Sequence, residues 1–451
     1  MSFFSKAIVS SISLLIFIHS ANASGLQLFE LTGILAGNAG AGDAARADDA
    51  STSFLNPAGL SYLKHQQLVF NMVGLKLDTT FTGQSQWFIS KVPKFNSGQQ
   101  PVHATGGSFN LIPSFYYALP INTHWGFGFN VTGPFGLSID YSPQGFQRYS
   151  VIHAKLITID ISPSIGLRLT DKFALGIGID AQRLVGQMQV IAGIPVKDFY
   201  GRLDKFDSII ENVFSDTAYG WHAGLLYQLL PNTRLGLSYH SKFNHHATGT
   251  STITGPLANL NDDHQGTRTS TTLNLALTLP AYTTLSFYHI LNPDLSVSTS
   301  LTYTQWSSFK EIVIHNIAAV EGNLIPIPSN QVTVTIPQYF HDTWRFALGV
   351  DYILNRHWTL RAGAGYDQSP VNSAYRNLLI PDSNRYIMSG GVHYSFNDKL
   401  QLALGWTHYF MQKGAIDTLQ TMGSGSLYNQ GFSKNAGNVF GLQLNWDLSS
   451  A

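Results

Sequence analysis

The stretch Trp344-Arg345-Phe346-Ala347-Leu348-Gly349-Val350-Asp351-Tyr352 places a large apolar side chain at every second position, with small or charged residues between. Successive residues of a strand point to opposite faces, so this segment has one wholly apolar face and one small or polar face. The same period recurs nearby. Trp358, Leu360, Ala362 and Ala364 alternate with Thr359, Arg361, Gly363 and Gly365. Leu400, Leu402, Leu404 and Trp406 alternate with Gln401, Ala403, Gly405 and Thr407, and Phe440, Leu442, Leu444 and Trp446 with Gly441, Gln443, Asn445 and Asp447. A soluble assembly of β-sandwiches would need charged outward faces. Only 12% of residues are charged, about half the usual share of soluble domains. The pattern predicts an all-β, antiparallel transmembrane β-barrel whose apolar face meets lipid.

The chain's start agrees with that destination. Lys6 is followed by an apolar run from Ala7 to Ile18 and by Ala21-Asn22-Ala23, the small-x-small pattern of a cleavage site. Residues 1–23 therefore read as a signal peptide. Its apolar run is too short to span a bilayer comfortably, and no later run reaches the roughly 18 apolar residues a membrane helix needs. Basic and acidic residues number 26 each. That balance gives no electrostatic grip on nucleic acid. There is no cysteine, which excludes disulfides and thiolate chemistry. Forty-one glycines and an aromatic share of 12% fit an outer-membrane barrel.

Turn chemistry sets the strand number. Short polar turns are expected at Asn122-Thr123-His124, Thr170-Asp171, Pro231-Asn232-Thr233, Asn292-Pro293-Asp294, Asn355-Arg356 and Asn397-Asp398. Longer loops are expected near 84–105, 138–149, 193–216, 250–268, 310–340, 370–384 and 412–436. Six turns alternating with seven loops require fourteen strands. These are expected near 66–82, 107–121, 124–137, 150–169, 172–192, 217–230, 234–249, 269–291, 295–309, 341–354, 357–369, 385–396, 399–411 and 437–449. The barrel proper thus runs from residue 66 to 451, with short periplasmic turns and long outer loops.

Residues 24–65 do not alternate. They hold Gly33, Gly37, Gly40 and Gly42, Ala-rich sequence, Asp48-Asp49 and Asn56-Pro57-Ala58-Gly59. Asn38 to Ala50 suggests a short helix of small residues, and Asn56-Pro57 a turn. Such a segment is either an external linker or a plug inside the lumen. Small residues, which let a backbone approach a wall, favour the plug.

At this point a resemblance emerges. Gly37-Asn38-Ala39-Gly40, Ala47-Asp48-Asp49-Ala50-Ser51-Thr52 and Asn56-Pro57-Ala58-Gly59-Leu60 resemble the N-terminal hatch of the FadL-type long-chain fatty acid transport family. Pro134-Phe135-Gly136-Leu137, Gly236-Leu237-Ser238-Tyr239, Trp306-Ser307-Ser308-Phe309, Tyr366-Asp367-Gln368-Ser369-Pro370-Val371 and Pro381-Asp382-Ser383-Asn384-Arg385 continue it, in order, along nearly the whole mature chain. The resemblance implies a fourteen-stranded barrel plugged by its hatch. It implies passive uptake of long-chain fatty acid or another hydrophobic small molecule: capture in the outer loops, transfer to an inner pocket, hatch movement, and lateral exit through a bend in the third strand. Implied partners are the ligand, outer-membrane lipid and the barrel-assembly machinery, with the chain monomeric. Uptake of aromatic or aliphatic hydrocarbons is the neighbouring alternative, and a surface adhesin or receptor the alternative from another class.

Candidate site residues follow from both lines of reasoning. Val190 to Phe214 gathers Phe199, Tyr200 and Phe206 among charges; it is either a first capture patch or a loop packing its own small core. Gly133-Pro134, with Phe135 and Gly136, interrupts a strand where proline cannot donate to the ladder. That break is either an ordinary bulge or the lateral gate. Leu26, Leu28 and Phe29 are candidates to line the inner pocket. Arg148, Arg183, Arg345 and Arg361 are candidates to meet a ligand carboxylate, although alternation points Arg183 outward. Asp48 and Asp49 are expected either to pair with Arg345 or Arg361 or to face a wet lumen, since a buried charge needs a partner. Asn56-Pro57-Ala58-Gly59 is expected to fix the turn that docks the hatch. His245-His246, His240 and His264 do not form a convergent metal set, because adjacent strand residues point apart. Neither cofactor nor catalytic residue is expected, and no phosphate-binding Gly loop occurs in a strand–helix context. The C-terminus, Trp446-Asp447-Leu448-Ser449-Ser450-Ala451, lacks the terminal aromatic common in barrels.

Overall fold

Inside a bilayer no water is available to pair with backbone N–H and C=O groups, so a sheet that crosses it must have no open edge. The computed structural model, which describes residues 26–89, 92–193, 195, 204–259, 266–321, 327–422 and 425–448, meets that demand with fourteen antiparallel strands. They are β1 (Gln67–Ile89), β2 (Gln100–Pro120), β3 (Trp125–Thr132 and Gly136–Tyr141), β4 (His153–Arg168), β5 (Phe173–Ala192), β6 (Ser208–Leu230) and β7 (Thr233–His240 and Phe243–Thr254). β8 (Thr267–Leu279 and Tyr282–Asn292), β9 (Leu295–Thr304 and Glu311–Glu321), β10 (Ile327–Pro337 and Thr343–Ile353), β11 (Trp358–Asp367), β12 (Arg385–Ser395), β13 (Leu400–Met411 and Gly414–Met422) and β14 (Gly425–Asp447) complete the wall. Each pairs with the next. Closure is by β1 on β14, in unbroken register from Gln67↔Asp447 to Ile89↔Gly425. Residues 1–23 lie outside the described part.

The alternation maps onto lipid and lumen. Trp344 is 48% exposed and Arg345 3%. Trp125, Trp358, Tyr352 and Trp446 face outward near the short turns, the position of an aromatic girdle. The six short turns fall where turn chemistry places them. Most of the long loops are shorter than expected, because the strands continue above the bilayer; the one between β11 and β12 is not, and spans residues 368–384. Glu311–Glu321 pairs with Ile327–Pro337, and Gly414–Met422 with β14. Thr-rich, alternating sequence such as Thr250-Ser251-Thr252-Ile253-Thr254 makes this extension natural, since its backbone groups find cross-strand partners.

Two departures from regularity shape the interior. First, β3 is broken at residues 133–135. Its first half pairs with β2 over Phe115–Pro120, its second only at Gly106 and Gly107. Over residues 108–114, roughly 20 Å of strand, the described β2–β3 ladder is missing. Second, residues 26–63 fill the lumen and are almost entirely buried. They carry two short helices, α1 (Gly33–Gly37) and α2 (Thr52–Leu55), and a 3-10 turn at Pro57–Tyr62. The helix expected over 38–50 does not form. Ala39, Gly40, Gly42 and Ala47 all have positive φ, the left-handed region in which a right-handed helix cannot continue.

Candidate functional site

The N-terminal segment touches the wall all round. Gly33 N–H donates to Asn71 Oδ1 on β1, and Ile34 N–H to Gln443 Oε1 on β14. Gly42 N–H reaches Ser300 Oγ on β9, and Ala44 N–H Ser286 Oγ on β8. Asn56 accepts from Ala58 N–H, capping the 3-10 turn that Pro57 opens. Its amide donates to Ala44 O at 2.6 Å and Leu225 O at 3.0 Å. Wall glycines make room for this backbone. A Cβ at Gly224 would lie 1.8 Å from Asn56 Oδ1, and one at Gly236 1.9 Å from Ala44 O. Within the turn, a Cβ at Gly59 would strike Thr52 Oγ1 at 2.1 Å.

Charges lock the segment in place. Arg345 donates to Glu30 Oε1 at 2.9 Å and to Ala39 O at 2.6 Å, with its guanidinium 4.4 Å from the Phe29 ring centre. Tyr409 O–H also donates to Glu30. Arg46 bridges Asp48 at 2.8 Å and Asp351 at 2.5 Å, and Arg361 lies 3.5 Å from Asp351. Asp49 accepts from Gln443 and from Ser51. The expected pairing of Asp48 and Asp49 with Arg345 or Arg361 is therefore corrected. Glu30 and Asp351, nearer in the fold, take those arginines, and Asp48 pairs within its own segment.

The remaining arginines separate. Arg183 lies on the outer face, where its guanidinium meets Ser215 and Thr217. Strand parity thus removes it from the lumen. Arg148 lies at the outer end of the barrel, bonded to Asp207 Oδ2 at 2.7 Å and to Tyr149 O–H. Burial pushes the Asp207 carboxyl up, while Tyr149 and Arg148 partly hold it down. Phe206 packs at the edge of the apolar interior. Phe199 and Tyr200 lie outside the described residues.

The break in β3 meets the start of the segment. Leu28 N–H donates to Pro134 O at 2.9 Å, Gly136 N–H to Leu26 O at 2.8 Å, and Gln27 bridges Phe135. Phe135 N–H takes Thr158 Oγ1 on β4, and its buried ring packs edge-on to Tyr282 and Trp306. At residues 134–136 the backbone groups freed by the break are thus satisfied by the N-terminal segment and by Thr158.

Above this level apolar side chains make up most of the lining of three interior spaces. An outer chamber is walled by Trp87, Val190, Ile191, Ile317 and Val332 among others. An inner one is walled by Leu26, Leu156, Phe214, Leu275, Leu277 and Phe309 among others. A third space lies along Leu137, Ile139 and Gly107, beside the gap between β2 and β3.

The match to known proteins decides what family this barrel represents. A model of the family described as "Outer membrane protein transport protein (OMPP1/FadL/TodX)" matches residues 14–448. The chain belongs to this FadL-type outer-membrane transport family. It is 28% identical over 445 residues to a long-chain fatty acid transport protein of Escherichia coli O6:H1, covering 94% of each chain. The crystal structure of a Pseudomonas aeruginosa FadL homologue superposes with a TM-score of 0.79 at 23% identity, over 94% of this chain and all of that one. The toluene transporter TodX of Pseudomonas putida shares the fold, with a TM-score of 0.66 at 15% identity over 94% of this chain and 100% of its own. As a FadL-type protein, the chain resides in the outer membrane.

Among the described residues, Asp180, His222 and His240 bring ligand-type atoms within 4.8 Å of one another. Both ring nitrogens of His222 are already used, Nδ1 with Asp180 at 2.7 Å and Nε2 donating to Ser53 O at 2.9 Å. His240 stacks on Tyr282. The cluster therefore acts as a clamp on α2. Sequence reasoning missed it, along with Glu30, Arg46 and Asp351. A legible signal was present. Asp180, His222 and Asp351 interrupt apolar strands on the lumen phase, and Glu30 is a single carboxylate in an apolar run.

Proposed function

We propose that this FadL-type protein admits long-chain fatty acids or similarly apolar molecules and releases them sideways into the membrane. The observation that supports the reading is a set of three adjacent, largely apolar spaces: the outer and inner chambers meet at Met188 and Leu379, and the inner chamber and the space beside the β2–β3 gap meet at Leu137, Leu379 and Ile380, while residues 26–63 occupy the lumen below. Burial of each methylene stabilises a bound chain by roughly 0.8 kcal/mol, so an alkyl chain is held along the route without a water-filled pore. In this reading residues 24–65 act as a hatch, and Asn56-Pro57-Ala58-Gly59 with Asp48 and Asp49 set its docked position. Displacing Leu26 and Leu28 strips Pro134 O and Gly136 N of their partners, which couples ligand entry to the state of the gate. Phe29, held under Arg345, moves with the same segment. Outer-membrane lipid receives the cargo, the barrel-assembly machinery inserts the monomeric chain, and no catalytic step is involved.

A neutral aromatic or aliphatic hydrocarbon is the second reading. It is favoured by the engagement of Arg345 with Glu30 and the Ala39 carbonyl, which commits that arginine within the protein. Uptake of labelled oleate and of toluene by a deletion strain carrying this chain tests both. Restored uptake of either supports transport and chooses between the ligands. No uptake of either refutes the function. A Gly133→Val, Pro134→Val variant, assembled normally by heat-modified gel mobility, is expected to lose uptake. Normal uptake by it would refute the lateral route.

A further inference from the structure

The segment between β11 and β12, residues 368–384, does not stay at the rim. Leu378, Leu379 and Ile380 are buried in the apolar interior. The segment is held there by specific bonds. Asn377 Oδ1 accepts from Leu379 N–H at 3.1 Å and Ile380 N–H at 3.0 Å, fixing a tight turn at the tip. Tyr141 O–H donates to Leu378 O at 3.4 Å, and Asn435 Nδ2 to Pro381 O at 2.5 Å. Arg376 Nε closes the base by donating to Asp382 O at 2.8 Å.

This turn places one side chain at a junction. Leu379 borders the outer chamber, the inner chamber and the space leading to the β2–β3 gap. Met188 borders the first two, and Leu137 and Ile380 the last two; among the described residues, Leu379 alone borders all three. A branched aliphatic chain has no polar group to contribute there. Its contribution is volume, and interiors packed to near-crystal density register the volume of single methylenes.

We propose that Leu379 is the internal partition of the transport route, the residue whose bulk sets the cross-section of cargo that passes from capture to exit. This rests on the transport reading above and deepens it to size selection. The turn built on Asn377 presents the side chain, and the anchors at Tyr141 and Asn435 keep the backbone still, so passage requires only rotation about the Leu379 side-chain bonds. The outer strands need not move for such a rotation.

The test compares Leu379→Trp and Leu379→Ala with the parent for uptake of oleate and of a bulky, branched hydrocarbon by cells. Leu379→Trp is expected to slow oleate roughly tenfold or more, the scale on which a filled apolar site rejects extra volume. Leu379→Ala is expected to admit the bulky substrate, with oleate uptake retained. Should Leu379→Trp fail to assemble, Leu379→Cys serves instead, because the chain has no other cysteine. Alkyl methanethiosulfonates of increasing length, added to the assembled protein, should then block oleate uptake in order of size. Oleate uptake by Leu379→Trp that equals the parent's, or uptake by Leu379→Cys that is unaffected by the largest thiol adduct after confirmed labelling, overturns the partition while leaving transport intact. Failure of the parent itself to transport either probe defeats the underlying function instead.

Discussion

Arg345→Met should loosen the N-terminal segment while sparing the barrel. Arg345 is a wall residue that touches Glu30, the Ala39 carbonyl and the Phe29 ring. Methionine fills similar space but leaves Glu30 fully buried with only the Tyr409 hydroxyl among those partners, and it leaves the Ala39 carbonyl without this donor. Removing one member of a buried ion pair costs about 3–5 kcal/mol. At about 1.4 kcal/mol per factor of ten, local opening of the segment should become roughly 10² to 4 × 10³ times more frequent. A Leu35→Cys background reports this directly, since Leu35 is 2% exposed and no other thiol exists. Maleimide should label Leu35→Cys through the open state, at a rate that tracks its population. Adding Glu30→Gln to Arg345→Met should recover part of the protection, because a neutral amide tolerates burial better than an unpaired carboxylate. Labelling by Arg345→Met within twofold of the background would show that the ion pair does not hold the segment.

Gly224→Ala forces a Cβ to within 1.8 Å of Asn56 Oδ1; overpacking of this kind costs about 1–3 kcal/mol, and faster Leu35→Cys labelling with unchanged heat-modified mobility is the expected outcome. His222→Phe strips Asp180 and the Ser53 carbonyl of their shared partner. It should lower thermal stability in detergent, and Asp180→Asn added to it should restore part, which circular dichroism melts will check. Leu404→Arg places a charge on the lipid face at a cost of about 2–4 kcal/mol near the midplane, so the folded yield in bilayer refolding should fall; an unchanged yield would move this strand out of the hydrocarbon.

The sequence by itself determined the barrel. Alternation in Trp344 to Tyr352 and its repeats decides which face meets lipid, and the Asn-, Asp- and Pro-containing turns decide how many times the chain crosses. Both are local signals, carried by neighbours in the chain, and the strands and short turns formed where they point. The non-alternating stretch from Ser24 likewise announced that it was not wall. The tertiary structure alone decided the pairings inside. Arg345 finds Glu30 across 315 residues of sequence, and Arg46 finds Asp351 across 305; no local pattern specifies which lumen cation meets which carboxylate. The wall glycines were visible as composition, yet their use as seats for the N-terminal backbone appears only when that backbone is laid against them. The segment over 370–384 read as an outer loop. Its Leu378-Leu379-Ile380 is too apolar to remain in water once a greasy lumen lies within reach, and only closure of the barrel supplies that lumen.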